Sequence, residues 1–285
     1  MARIAFLGLG VMGAPMARHL AAAGQELIVY SRSPAKAAAW VADHGGAHAT
    51  TVAEAAAGAD AVLACVGNDR DVAEVAEAAF GAMREGALFI DHTTVSARLA
   101  RQLASDADAR GLLFVDAPVS GGQAGAESGK LAIMCGGTEE ALAAATPLMQ
   151  AYGARIVHVG PAGSGQLTKM VNQICIAGVV QGLSEAVHFM HKAGLDADKV
   201  LEAISGGAAM SWQMVNRWPT MAKGEFDFGF AVDWMRKDLG LTLEEARANG
   251  ARLPLTALVD QFYADLQAMG GGRQDTSSLL RRLEP

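Results

Sequence analysis

Hydrophobic and polar positions repeat along the first half of the chain. Short apolar runs ("RIAFLG", "ELIVYS", "AVLACV", "ALFID", "LLFVDAPV", "LAIMCGG" and "RIVHVG") are set apart by alanine-rich stretches, such as Met12–Ala23, Ala35–His44 and Ala73–Met83. Unbroken apolar runs separated by helices predict parallel strands buried on both faces. The predicted architecture is therefore a doubly wound α/β sheet. Punctuation agrees with it. Gly24 falls just past the first helix, where a C′ glycine belongs, and Ser33-Pro34 reads as an N-cap followed by proline at N1.

After "VHVGPAGSG" the pattern changes. From about Gln166 onward no stretch reads as a strand. "QLTKMVNQICIAGVVQGLSEAVHFMHKAG" reads as one long helix ending at Gly194, apolar nearly all round and so expected to be buried on most sides. Further helices are predicted over Asp198–Ile204, around Met221, and over Trp234–Asn249 and Thr256–Met269. The shift at Gly160–Gly165 predicts two domains, residues 1–162 and an all-helical 163–285.

Composition narrows the function classes. Of 285 residues, 51% are hydrophobic and 19% charged, which fits a large buried core. A net charge of -7 with no dense basic run argues against nucleic acid as a partner, and "RRLEP" reads as a short tail. Cys65, Cys135 and Cys175 form no C-x-x-C pair, so reduced thiols and a cytoplasmic setting are expected. The apolar N-terminus reads as a strand and a glycine turn rather than a signal peptide. Arg18, or Gln181 and Glu185, interrupt the longest apolar stretches before the roughly 20 residues of a membrane span, so no membrane partner is expected.

Candidate chemistry begins at "IAFLGLGVMGAPMARHL". Gly8, Gly10 and Gly13 give a G-x-G-x-x-G spacing between a predicted strand and a predicted helix. In that context Gly8 permits a tight turn, Gly10 lets backbone approach a pyrophosphate, and Gly13 lets helix and strand pack closely. The helix start, with Leu9, Val11 and Met12 around it, offers N–H groups and a positive dipole end to phosphate. The second strand ends in Tyr30-Ser31-Arg32-Ser33, without the carboxylate that NAD enzymes place there to bind both ribose hydroxyls. Ser31 and Ser33 can donate hydrogen bonds, and Arg32 offers a planar cation to a 2′-phosphate. NADP is the expected cofactor. A solvated Arg32, with NAD accepted equally, is the other reading.

Three further stretches carry candidate reactive groups. Lys169 is a charge in the first turns of an apolar helix, with Asn172 and Gln173 on the same face at i+3 and i+4. Burial lowers a lysine pKa toward the roughly 7–8 suited to proton transfer, though a lysine near a helix end can also simply snorkel. "DAPVSGG" ends a strand in Ser120-Gly121-Gly122, whose backbone N–H groups suit a carboxylate; an ordinary turn would also favour these glycines. Lys237 and Asp238 lie in an aromatic-rich region with Trp212, Trp218, Phe226, Phe228, Phe230 and Trp234, which also reads as core or subunit interface. His188 and His191 stand at i, i+3 without an evident third ligand, so no metal is expected.

Four motifs in order, "GLGVMGAPMA", "DAPVSGGQAGAESGKL", "GSGQLTKMVNQ" and "RKDL", make essentially the whole chain resemble the β-hydroxyacid dehydrogenase family. That family includes 3-hydroxyisobutyrate dehydrogenase and the tartronate, glyoxylate and succinic semialdehyde reductases. The resemblance implies a Rossmann domain, a long interdomain helix and an all-α C-terminal domain that takes part in a homodimer or homotetramer. It implies that Lys169 is catalytic beside Asn172, that Ser120, Gly121 and Gly122 grip a substrate carboxylate, and that Lys237 sits at the substrate and nicotinamide end with Phe230. Thr94 would contact the nicotinamide side, and Val66 and Gly67 would line the cofactor cleft. The sequence departs from the family pattern in "CVGND", where many members have a Leu-Pro pair, and in "DHTTVSA", which replaces a Ser-Thr stretch ending in proline. The expected reaction interconverts a β-hydroxyacid and its semialdehyde or keto form. A reductase of imines or ketones on the same fold, and a non-catalytic NADP-binding module, are the alternatives.

Overall fold

The computed structural model describes residues 2–284 and divides into two compact units, Met1–Lys169 and Met170–Pro285. The first unit opens with β1 (Arg3–Leu7), α1 (Gly13–Ala22), β2 (Glu26–Tyr30), α2 (Pro34–His44), β3 (Ala47–His48) and α3 (Val52–Ala56). It continues with β4 (Ala61–Ala64), α4 (Asp69–Phe80), β5 (Leu88–Asp91), α5 (Ala97–Asp108) and β6 (Leu113–Asp116). Then come β7 (Val119–Ser120), α6 (Gly122–Glu127), β8 (Leu131–Gly137), α7 (Glu139–Met149) and β9 (Gly153–Gly160).

The strand order is β3-β2-β1-β4-β5-β6-β8-β7, with β9 on β8, and every pair from β3 to β6 is parallel. Successive side chains of one strand enter opposite cores. Ile4 and Phe6 join Leu63 and Ile90 on one face, while Ala5 and Leu7 join Val62 and Phe89 on the other. This two-sided burial is why the strands read as unbroken apolar runs. Each fully buried Leu, Ile, Val or Phe contributes about 1.5–3 kcal/mol of transfer free energy.

Two segments depart from the parallel pattern. β8 runs antiparallel to both β6 and β7. The chain between β7 and β8 holds only the six-residue α6, too little for the crossover of about a dozen residues that a parallel return requires. β9 is an edge strand with Val157 and Val159 exposed, not the two-sided buried strand its composition predicts.

The helix α8 (Ser164–Lys192) starts in the first unit and continues into the second. The second unit adds α9 (Ala197–Ile204), α10 (Trp212–Met221), α11 (Val232–Asn249), α12 (Pro254–Ala268) and a 3-10 helix, Thr276–Arg282. Ala177 and Val180 pack with Met235, Leu239, Val259 and Tyr263, and Leu183 and Val187 pack with Met214 and Trp218.

The expectation that α8 is buried on most sides is not met. Val171, Cys175, Val179, Gly182, Ala186 and Phe189, spaced three and four apart, form an exposed stripe, with Val171 at 60% and Phe189 at 71%. Among the described residues, the unit's own helices cover the opposite side. By length and composition α8 could also cross a membrane, although its sequence is interrupted at Gln181 and Glu185. Gln173, Gln181 and Ser184 on its packed side make it a core helix. Nor is the C-terminus a tail. Leu279 and Leu280 are buried in the two helical cores, and Arg282 pairs with Asp265.

Candidate active site

The parallel order reverses between β1 and β4, and the loops after these strands meet there. Gly8 has φ +104°, and a side chain on it would strike the carbonyl of Cys65 at the end of β4. A side chain on Gly13 would strike the Gly8 carbonyl and press on Phe6. Gly10 differs, because nothing lies within 4 Å of its missing Cβ. The first two glycines serve the protein's own packing, and the third keeps a surface open.

The start of α1, like those of α2 and α6, differs from the other helix starts of the sheet unit. Thr51, Asn68, Ser96 and Thr138 cap α3, α4, α5 and α7 with side-chain oxygens. α1 has no side-chain cap and no acidic residue in its first turn. The Ala14 N–H already donates to the Gly10 carbonyl and Pro15 has no N–H, so what fits a dinucleotide pyrophosphate here is the open surface over Gly10 at the order reversal, at the positive end of α1. Leu9 is buried, whereas Val11 is 58% exposed beside Met12.

At the end of β2, Ser31 Oγ accepts from the Ser33 N–H. Ser33 occupies the cap position of α2, as expected, but its hydroxyl makes no cap bond. Arg32 is 80% exposed and pairs at 3.1 Å with Asp71, in the first turn of α4. Asp71 was not singled out in the sequence. It places a carboxylate on the cation expected to meet a 2′-phosphate.

A buried network joins the remaining loops of the first unit. The Val66 N–H donates to Thr93 Oγ1 at 3.0 Å, beside Gly67, and the Thr93 N–H donates to Asp91 Oδ1. Gln166, fully buried, accepts from the Val95 N–H and donates to the Thr93 carbonyl, so its amide spans the residues flanking Thr94. Asp116, also fully buried, accepts from the N–H groups of Gly163 and Gln166 at the start of α8. Burial pushes its carboxyl up to about 6 against the pull of these N–H groups. Its partners lie at the positive end of α8.

His92 is buried as well. Its Nδ1–H donates to the Ala117 carbonyl at 2.7 Å, so Nε2 accepts from the Tyr152 hydroxyl at 2.8 Å. Burial lowers its pKa to about 4, which keeps the ring neutral.

Lys169 follows Gln166 by three residues on α8. It is 8% exposed, and its ammonium donates to the Val119 carbonyl at 2.9 Å. The next residue is Ser120, followed by Gly121 (φ +130°) and Gly122 (φ +61°). The expected catalytic lysine therefore bonds to the residue immediately before the expected carboxylate loop.

The second unit connects its own candidates. Asn172 donates to Gln173 Oε1, and Gln173 donates at 2.6 Å to Asp238, a buried carboxylate. Asp238 lies 3.2 Å from the Lys237 ammonium, which sits over the Trp234 ring. Neither Gln173 nor Asp238 had been given this linking role, although "RKDL" carries the aspartate. The Phe230 N–H donates to buried Asp275, which also holds Arg217 between Trp212 and Phe228. His188 and His191 both face Glu284, and among the described residues no cluster could hold a metal ion.

Comparison with known proteins covers both units. Residues 3–160 match the family described as the NAD binding domain of 6-phosphogluconate dehydrogenase. Residues 163–283 match the family described as NAD-binding of NADP-dependent 3-hydroxyisobutyrate dehydrogenase. A Shewanella frigidimarina protein named "Uncharacterized oxidoreductase" is 56% identical, over 100% of this chain and 99% of its own. The Arabidopsis thaliana "Probable 3-hydroxyisobutyrate dehydrogenase-like 1, mitochondrial" is 39% identical, over 99% of this chain and 85% of its own. The 3-hydroxyisobutyrate dehydrogenase of Mycobacterium tuberculosis, solved with L-serine, is 35% identical with a TM-score of 0.91 over 100% of both chains.

Proposed function

Because this chain belongs to the β-hydroxyacid dehydrogenase family of NAD(P)-dependent oxidoreductases, we propose that it interconverts a small β-hydroxyacid and its semialdehyde or keto form, with NADP preferred over NAD. The observation that carries this reading is the contact between Lys169 and Val119, immediately before Ser120. A bound nicotinamide would supply or accept the hydride. Everything else falls to the protein.

In this reading Ser120, Gly121 and Gly122 hold the substrate carboxylate through the serine hydroxyl and backbone N–H groups. Lys169 gives a proton to the carbonyl oxygen during reduction and takes one from the hydroxyl during oxidation. The Val119 carbonyl fixes the direction of the ammonium. Asn172 and Lys237 are assigned to the substrate, and residues 1–162 to most of the cofactor. Gly8, Leu9, Gly10, Val11, Met12 and Gly13 form the pyrophosphate cradle, and Val66, Gly67, Thr94 and Phe230 line the nicotinamide end. Ser31, Arg32 and Ser33 meet the 2′-phosphate, for which Arg32 turns from Asp71. L-serine, which accompanies the solved mycobacterial relative, has the expected groups: a carboxylate and a β-hydroxyl. The exposed stripe on α8 supports assembly as a homodimer or homotetramer.

The test is steady-state kinetics with NADP(H) and NAD(H) against L-serine, 3-hydroxyisobutyrate, succinic semialdehyde and a carboxylate-free imine. Turnover is expected only with the carboxylates. NADP(H) should lead in kcat/KM by about tenfold, the worth of one charge-assisted hydrogen bond of about 1.5 kcal/mol. Preference for the imine, or tight NADPH binding without turnover, would contradict the proposal.

A further inference from the structure

Asp116 and Gln166 touch neither expected ligand site directly, yet both are polar and fully buried. Burying such groups is costly unless they are hydrogen-bonded, and a carboxylate is the costlier of the two. Capping α8 does not by itself require a carboxylate from β6. α5 and α7 are capped by local Ser96 and Thr138. The carboxylate capping α8 instead comes from 47 to 50 residues earlier in the chain.

The connections form a closed ring. The Gln166 N–H donates to Asp116 Oδ2 at 2.9 Å, and Lys169 Nζ donates to the Val119 carbonyl at 2.9 Å. Two short chain spans, Asp116–Val119 and Gln166–Lys169, join these bonds. The second span is one helical turn of α8, rising about 4.5 Å. Each side of the ring limits where the ammonium can sit relative to Ser120.

Gln166 adds a second attachment. Its side chain holds the Val95 N–H at 3.0 Å and the Thr93 carbonyl at 2.8 Å, on either side of Thr94. Thr93 in turn accepts from the Val66 N–H. One residue thus faces the carboxylate loop through its backbone and the cofactor loop through its amide.

We infer that Asp116 and Gln166 are positioning residues which hold Lys169 in register with both Val119, at the head of the carboxylate loop 120–122, and the nicotinamide-side loop 93–95. This rests on the proposed function, since it assigns the purpose of the ring to the lysine. Asp116 acts on the lysine and the carboxylate loop. Gln166 acts on these and on the cofactor loop as well.

Asp116→Asn, Gln166→Met and Gln166→Glu would be made singly and combined with Lys169→Ala. Single-turnover rates extend the measurement to slow variants, NADPH fluorescence gives the cofactor Kd, and thermal melts check folding. Asp116→Asn should lower kcat about 10- to 100-fold, the scale of a misplacement near 1 Å, with NADPH Kd changed less than about twofold. Gln166→Met should lower kcat similarly and also raise NADPH Kd about fivefold or more, as loss of one to two hydrogen bonds would. Gln166→Glu keeps the acceptor for Val95 and should recover part of both.

On the Lys169→Ala background none of these changes should slow the reaction further, because groups that act through the lysine are not additive with its removal. A purely structural role predicts the same proportional loss on both backgrounds, and that result, or an unchanged kcat, overturns the inference. If Asp116→Asn does not fold, the two Gln166 variants decide by the same criterion. Near-normal turnover by Lys169→Ala itself would instead overturn the proposed function.

Discussion

At the ends of neighbouring strands β5 and β6, His92 and Asp116 are both buried, and burial moves them in opposite directions. His92 has a pKa of about 4 in the folded chain against an ordinary 6.5. Its contribution to stability is complete above 6.5 and is lost as pH falls through 4, because the unfolded chain takes up the proton first. Asp116 has a pKa of about 6 against an ordinary 3.8. Its contribution is complete below 3.8 and is lost as pH rises through 6. The two slopes oppose each other across the same window, each worth about 3 kcal/mol at full span. Thermal melts between pH 4 and 6.5 should therefore diverge. Asp116→Asn should lose more stability on acidification than the parent, and His92→Asn should lose less or gain. Parallel melting curves for all three proteins would contradict these assignments. Lys169 and Ser120–Gly122 were legible in the sequence as candidates, because they fall in short motifs that the family resemblance gives a role. Asp116 and Gln166 were not, because their partners are backbone groups 47 to 73 residues away.

Elements divide in a similar way. β1, the glycine turn and α1 were legible because close packing leaves glycine at fixed offsets. The parallel strands were legible because burial on both faces removes polar alternation. The reversed β8 was not, since an apolar run does not encode strand direction, and the short α6 that forces the reversal lies in a glycine-rich stretch. The exposed side of α8 was also hidden, because apolar residues all round a helix do not say which side its neighbours cover. The glycine turn itself makes separable predictions. Gly13→Ala drives a Cβ into the Gly8 carbonyl, which should cost about 1–3 kcal/mol of stability and weaken cofactor binding with it. Gly10→Ala meets no protein atom and should leave stability within about 0.5 kcal/mol. It should still raise the NADPH Kd, because the added methyl occupies the approach of the pyrophosphate. Calorimetry and fluorescence titration on the two variants check this. Unchanged NADPH binding by Gly10→Ala would remove that glycine from the cofactor site.

For the molecule as a whole, the family assignment spans both units and every motif that first indicated it, whereas substrate and cofactor preference follow from particular side chains. In the proposed reading, the strength of the Arg32–Asp71 pair would set how strongly a 2′-phosphate is favoured. The Asn172–Gln173–Asp238–Lys237 chain links one helix of the second unit to another, and the Asp275–Arg217 pair supports the aromatic residues around Phe230. In the proposed reaction these features gain a purpose through Lys169, since hydride transfer to a carbonyl leaves an alkoxide that needs a proton. The most direct measurement is therefore turnover by Lys169→Ala with NADPH and a small carboxylate-bearing semialdehyde, alongside its NADPH Kd. A fall in kcat of about 100-fold or more, the scale of lost general acid–base catalysis, is expected with cofactor affinity retained. Near-normal kcat with intact NADPH binding would contradict the account.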